Sequence, residues 1–203
     1  MEYRALITTE DNKTYKNSVQ VKNLDFLPDN NTLIKVKYSS LNYKDALSAS
    51  GNKGVTRSYP HTPGIDAAGI IEETSSKKFK KGDEVIVTGY DMGMNTFGGF
   101  GEYIKVPEEW IIKKPNNLSL SESMAFGTAG LTAGLCLRKL LQHGLKPDDG
   151  KVLKDNDGFW KKEEGDVNGG YYGEGVYNKI KNVFSSSKKE SGPVSKYTIY
   201  KYT

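Results

Sequence analysis

Few side chains in this 203-residue chain could carry covalent or metal chemistry, and their spacing rules most of it out. There is one cysteine, Cys136, and there are two histidines, His61 and His143. A zinc site needs three or four Cys, His or carboxylate ligands converging on one point. One Cys and two widely separated His do not supply such a set, so no protein-bound zinc is expected. No Gly-x-Ser-x-Gly elbow offers a serine nucleophile. Cys136 lies in an apolar helical stretch and reads as a small core residue. What remains is the run Ser40-Leu41-Asn42-Tyr43-Lys44-Asp45. It gathers a hydroxyl, an amide, a phenol, an ammonium and a carboxylate near the start of an expected short helix.

The elements that must position this run are mostly strands. Tyr3 to Ile7 reads as extended and is followed by a polar turn at Asp11-Asn12-Lys13. Ser18 to Val21 is a second short extended run. Leu33 to Tyr38 alternates apolar with charged, as a half-buried strand does. Asn42 to Ser50 fits a short helix closed by Gly51. Strands are expected within Gly64–Glu73, at Glu84–Thr88 and at Glu102–Val106, with glycine turns between them. From Asn117 the pattern changes. Ser119-Leu120-Ser121-Glu122 is a capping box, and a helix is expected from there to about His143, ending at Gly144. Its apolar residues go most of the way round, which is the pattern of a buried helix. Gly127, Gly130 and Gly134 each cost ~1 kcal/mol against Ala in such a helix. Either helix packing or the close approach of another backbone or a ligand accounts for them.

Composition divides the chain. Hydrophobic residues make up 36%, low for a globular protein, and the shortfall lies after Leu153. From Lys154 to Thr203 there is no Leu, Ala, Met, Arg, His, Gln or Cys. Two parts are therefore expected, 1–153 and 154–203. The second is read as disordered or as a small β element, because little of it can bury enough apolar area to offset its ordering entropy. Tyr197 to Tyr202 alternates Tyr, Thr, Ile and Lys and could form an edge strand. Net charge is +4 with both signs interspersed. The cluster Lys77-Lys78-Phe79-Lys80-Lys81 reads as a solvated loop, so no nucleic-acid face is expected. A single cysteine suits a reducing cytoplasm. No apolar run approaches the ~20 residues of a membrane span.

Four stretches carry a family resemblance: "SSLNYKDALSASGNKG", "PHTPGIDAAGII", "GDEVIVTGYDMGMNTFGGFGEYIKV" and "GTAGLTAGLCLRKL". Residues 1–153 resemble the N-terminal, GroES-like catalytic domain of the medium-chain dehydrogenase/reductase superfamily. Within it they are most similar to the zinc-free acrylyl-CoA reductase and quinone oxidoreductase group. The resemblance implies a mainly β fold with helices: a GroES-like β-barrel catalytic domain, a terminal long helix and an unrecognised tail. Zinc-dependent relatives have a Cys and a His-Glu pair where this chain has Asn42-Tyr43 and Ile65-Asp66.

The resemblance also implies NADPH-dependent reduction of an α,β-unsaturated acyl-CoA, acrylyl-CoA above all, or of a quinone-like substrate. Charge then develops on a carbonyl oxygen, and a donor must stabilise it. The resemblance gives that role to Asn42 and Tyr43, with Tyr43 also a proton source. Asp45 and Asp66 read as orienting backbone and helix. Arg57 resembles a residue that faces the phosphates of cofactor or CoA; a plain surface arginine is the other reading. Thr128 and Thr132 match positions near the nicotinamide ring, or pack in the core. A homodimer is compatible with this reading.

The chain departs from the family after Leu153. A glycine-rich phosphate-binding turn and a second helix are expected there. Instead Lys154-Asp155-Asn156-Asp157-Gly158 follows, and Gly169-Gly170-Tyr171-Tyr172-Gly173 reads as a loop without βαβ periodicity. Two rival functions stay open. One is a truncated or chimeric, non-catalytic relative acting as a scaffold. The other makes the tail a Tyr-rich binding module.

Overall fold

The computed structural model describes residues 1–144 and the strand segments 152–154, 160–162 and 199–201. The chain opens with a hairpin, β1 (Glu2–Asp11) and β2 (Thr14–Asn23), paired antiparallel along its whole length from Glu2↔Asn23 to Asp11↔Thr14. Only Asn12 and Lys13 lie between, both at positive φ (47° and 64°). That is the backbone a two-residue hairpin needs to match strand twist. On β1, Tyr3, Ala5 and Ile7 are buried, with Leu27 and Leu33 packed against them. β2 is longer than its sequence suggests, because the ladder carries its polar start along with it.

The second sheet runs β10-β3-β4-β5-β7, with β6 also paired to β3. Its strands are β3 (Thr32–Ser40), β4 (Asp66–Thr74), β5 (Glu84–Thr88), β6 (Tyr103–Val106), β7 (Ile111–Lys113) and β10 (Ile199–Lys201). Ile34, Val36, Ile71, Val85, Val87 and Ile104 fill its core. Each such side chain taken out of water is worth roughly 1.5–3 kcal/mol. β7 and two 3-10 turns, Leu24–Phe26 and Glu108–Trp110, went unmarked in the sequence because none reaches four residues.

The GroES-like strands do not close into the expected barrel. The hairpin meets the second sheet's loops through isolated bridges, Ala5↔Gly101 and Thr8↔His61, rather than through a ladder. Closure needs continuous pairing round the ring, and among the described residues the sheets stay open.

α1 spans Tyr43–Ala49 and α2 spans Leu120–Gln142. The capping box forms as read: the Ser119 N–H donates to Glu122 Oε2 at 2.8 Å, and the Glu122 N–H to Ser119 Oγ at 3.2 Å. Gly144 ends the helix at φ 89°. α2 is interrupted at Gly127 (φ 49°, ψ −156°). Before that break Leu120 and Met124 are buried with Ala68. After it Leu131, Leu135 and Leu141 are exposed, and so is Cys136. The expectation of a buried helix and a core cysteine is therefore corrected. A helix apolar all round buries only the face that finds a partner, and here that contact is concentrated before Gly127. No helix among the described residues is long and apolar enough to cross a membrane.

The chain divides into two compact units, Met1–Leu131 with Ser195–Thr203, and Thr132–Val194. The second unit contains β8 (Val152–Lys154) and β9 (Trp160–Lys162), paired antiparallel. The glycine-rich run 169–173 and the expected disorder of most of the tail lie outside the described residues. The alternating run at Tyr197–Tyr202 does hold a strand, β10.

Lys13 sits in the left-handed region, where a side chain is strained and glycine is not. Lys13→Gly is expected to raise unfolding free energy by roughly 0.5–1 kcal/mol, measured by denaturant titration. A loss of stability would show that the turn is held by the lysine side chain instead.

Candidate functional site

The site is built where β3 ends, α1 starts, β4 starts and α2 breaks. Asn42 is the N-cap of α1, in an extended conformation (φ −127°, ψ 158°). Its backbone N–H donates to Asp45 Oδ2 at 2.7 Å. The other oxygen of Asp45 accepts the Ile65 N–H at 2.9 Å. Asp45 therefore caps its own helix and ties it to the residue preceding β4. Burial pushes its carboxyl up to about 6. The Asn42 and Ile65 N–H groups pull the other way, and the charge of Asp66 adds to the rise.

Asp66, the first residue of β4, is fully buried. Its Oδ2 accepts from Ser40 Oγ at 2.7 Å, from Asn42 Nδ2 at 2.8 Å and from the Thr128 N–H at 2.9 Å. Its Oδ1 accepts from Thr128 Oγ1 at 2.6 Å. A buried carboxylate is tolerable only when its lone pairs are met in this way. The Thr128 N–H opens the helical segment beyond Gly127, so Asp66 also caps that segment from another element. This end of a helix favours negative charge. Gly127 makes the arrangement possible. A Cβ there would lie 2.5 Å from Ser40 Oγ and 2.6 Å from Asp66 Oδ2, and its backbone is one that glycine adopts and other residues rarely do.

Neighbouring serines lock the same corner. Ser39 Oγ donates to the Asp66 main-chain oxygen at 2.6 Å. The pairing of β3 with β4 shifts register between Val36 and Tyr38. Such irregularities re-aim side chains beside functional sites, and here Ser39 and Ser40 both reach Asp66.

Asn42 and Thr128 thus meet on one carboxylate. Asn42 is half-buried and commits one amide hydrogen to Asp66. Tyr43 is next to it in the chain, but its side chain is 80% exposed. Arg57 is exposed; its N–H donates to Asn95 Oδ1 at 3.3 Å and its carbonyl accepts from Lys53 Nζ. Thr132 is exposed and belongs to the second unit. Core packing is therefore excluded for Thr132. The Thr128 hydroxyl donates to Asp66. Ser39 was not read from the sequence as a site residue; Ser40 was read only as the hydroxyl that opens the candidate run, and Gly127 only as one of three costly helix glycines. The one available signal was Gly127-Thr128, a glycine before a capping residue inside a helical pattern.

Among the described residues, no three His, Cys, Asp or Glu gather as a metal could require. His61 is buried, and burial holds its imidazole below its ordinary value. A half-open cleft of about 600 Å³, lined in part by Leu24, Leu27, Leu33 and Glu73, lies at the other end of β3.

Residues 28–116 match the alcohol dehydrogenase GroES-like domain family. The chain belongs to the medium-chain dehydrogenase/reductase superfamily through this domain. It is 46% identical over 138 residues to the putative quinone oxidoreductase YhfP of Bacillus subtilis, covering 67% of this chain and 42% of that protein. It is 39% identical to the acrylyl-CoA reductase AcuI of Ruegeria pomeroyi, covering 74% and 46%. Among solved structures, the yhdH oxidoreductase from Salmonella enterica in complex with NADP superposes with a TM-score of 0.70 at 39% identity, covering 74% of this chain and 46% of that one. Bacillus subtilis yhfP with NAD bound gives a TM-score of 0.72 at 41% identity, with 75% and 46% covered. The chain spans less than half the length of these relatives.

The raised Asp45 carboxyl gives a pH signature. Its folded value of about 6 lies above its ordinary 3.8. A group shifted this way contributes stability that is full at low pH and is lost as pH rises through the folded value. Relative to Asp45→Asn, the wild-type chain is expected to lose roughly 2–3 kcal/mol between about pH 4 and pH 7. Denaturant unfolding of both chains across that range tests this; a difference that stays flat, or grows with pH, contradicts it.

Proposed function

We propose that this chain carries the substrate-polarising half of a zinc-free reductase for α,β-unsaturated acyl-CoA thioesters, with acrylyl-CoA first among them and quinone-like compounds as the alternative class. The observation that supports it most is the fixed carboxamide of Asn42. Asp66 takes one of its amide hydrogens, so the group cannot swing freely. The second amide hydrogen is left to meet a carbonyl oxygen that gains charge as the double bond is reduced. Donors fixed in advance cost no reorganisation during reaction, which is why they stabilise such charge well. Tyr43, one residue on and exposed, holds the proton that completes reduction.

The cofactor this reading requires is NADPH, which supplies a hydride when bound. Relatives with NADP and NAD in their structures support a nicotinamide cofactor in general. At the substrate end the residues fit, through Asn42 and Tyr43. At the phosphate end Arg57 is the residue offered, and its exposed side chain suits that role. Thr128 serves the site through Asp66, holding the helix start against the carboxylate that holds Asn42. The reading is also of a cytoplasmic enzyme that needs no zinc.

The test is to follow NADPH absorbance with acrylyl-CoA and, separately, with a quinone. Any rate the protein shows is expected to fall roughly 10²–10³-fold in Asn42→Ala, with a loss of similar order in Tyr43→Phe. Should no rate be measurable, propionyl-CoA is expected to shift the Asn42 side-chain amide resonance. A rate that survives both substitutions, or an Asn42 resonance that ignores propionyl-CoA, overturns the assignment.

A further inference from the structure

Two cations near the site have no counter-charge. Lys44 follows Tyr43 in α1, and its ammonium donates to Met94 Sδ at 3.8 Å. A thioether is a weak acceptor and carries no charge. Arg57 is exposed, and its backbone N–H donates to Asn95 Oδ1 at 3.3 Å. Among the described residues, no carboxylate forms an ion pair with the side chain of Lys44 or of Arg57, whereas Lys53 is paired with Glu10. Met94 and Asn95 are consecutive, with Cα atoms about 3.8 Å apart. One loop tip therefore holds Lys44 by its ammonium and Arg57 by its backbone. The tip is built to keep its shape. The Met94 and Thr96 N–H groups both donate to the Asp91 carbonyl, at 3.1 and 3.2 Å. The Asp91 carboxylate accepts from Asn95 Nδ2 at 2.9 Å and from Thr96 Oγ1 at 3.3 Å. The loop's own carboxylate thus holds the loop and pairs with neither cation. Met92 is fully buried beneath it. Gly93 packs so closely on Gly64 that a Cβ would lie 2.5 Å from the Gly64 carbonyl oxygen. Gly64 stands two residues before Asp66, so the loop is fixed to the segment that leads into the site.

We propose that Lys44 and Arg57, set against the Met94-Asn95 tip, form one phosphate subsite that takes the diphosphate of a nucleotide ligand. The two side chains suit complementary parts of that task. A guanidinium grips phosphate oxygens as a planar fork, and an ammonium meets them as a compact point charge. Neither has to leave an internal carboxylate to do so. The inference rests on the reading of Asn42 and Tyr43 as the reacting end of the site, because Lys44 adjoins Tyr43 in the chain. A diphosphate is common to an acyl-CoA thioester and to a nicotinamide cofactor. The shared chemistry is what the subsite recognises, and separate titrations tell the two sources apart.

The test reads the Met94 methyl resonance, which needs no turnover. The full chain is titrated with inorganic pyrophosphate, propionyl-CoA and NADPH, and with pantetheine as a phosphate-free control. The methyl is expected to shift with pyrophosphate and with at least one of the two nucleotides, and to ignore pantetheine. A response to propionyl-CoA alone assigns the subsite to substrate, and a response to NADPH alone assigns it to cofactor. Lys44→Ala and Arg57→Ala are each expected to weaken binding about 3–10-fold, with Lys44→Arg close to wild type. Lys77→Ala removes one positive charge from the loop beyond the far end of β4 and is expected to leave binding unchanged. A Met94 methyl that ignores both nucleotides overturns the proposal, and so does an equal loss in Lys77→Ala, which makes the effect one of net charge. If Asn42 ignores propionyl-CoA while Met94 responds to pyrophosphate and to NADPH, the reaction proposed above fails and the subsite stands. The reverse result keeps the reaction and overturns the subsite.

Discussion

The fold around the site depends on one buried carboxylate. Asp66 is fully enclosed, and its oxygens accept from Ser40, Asn42 and Thr128. A charged or polar group buried without partners costs several kcal/mol, and removing one partner of a satisfied set costs much of that penalty again. The donors come from the end of β3, the cap of α1 and the middle of α2, and Thr128 is 62 positions from Asp66 in the chain. Satisfying one side chain therefore fixes the mutual placement of three elements. Gly127 follows from the same constraint, since any Cβ at that position would occupy the space of Ser40 Oγ and Asp66 Oδ2.

Asp45 solves a related problem differently. It accepts from the backbone N–H groups of Asn42 and Ile65, and burial raises its carboxyl to about 6. Two carboxyls in one corner repel when both are charged. The corner is arranged so that the neighbour with side-chain partners carries the geometry of Asn42. Asp45 carries the position of α1 against β4.

Much of the fold was legible in the residues. β5 was read at Glu84–Thr88 as it stands, and the capping box at Ser119 and the stop at Gly144 follow from local chemistry that needs no tertiary partner. What could not be read depends on contacts distant in sequence. The pattern of α2 showed a helix apolar all round, but the break at Gly127 is decided by Ser40 and Asp66, 87 and 61 positions away in the chain. Exposure of Leu135 and Cys136 depends on which faces find partners, which periodicity does not contain. At the site, Asn42 and Tyr43 were named through family resemblance. That Asp66 gathers Asn42 with Thr128, while Arg57 and Thr132 are exposed to solvent, emerged only from the packing.

Asn42 and Tyr43 are unequal partners, and the inequality suits the proposed division of work. The amide is tethered and half-buried, while the phenol beside it is in open solvent. Stabilising a developing oxyanion demands a donor whose direction is set before charge appears. Delivering a proton also demands that the donor be recharged, which a solvent-facing phenol can do directly from water. A tyrosine fixed as tightly as Asn42 would need a relay to regain its proton. An amide as mobile as Tyr43 would have to reorganise while the charge formed. The tether that Asp66 supplies falls on the residue to which the proposal gives the oxyanion.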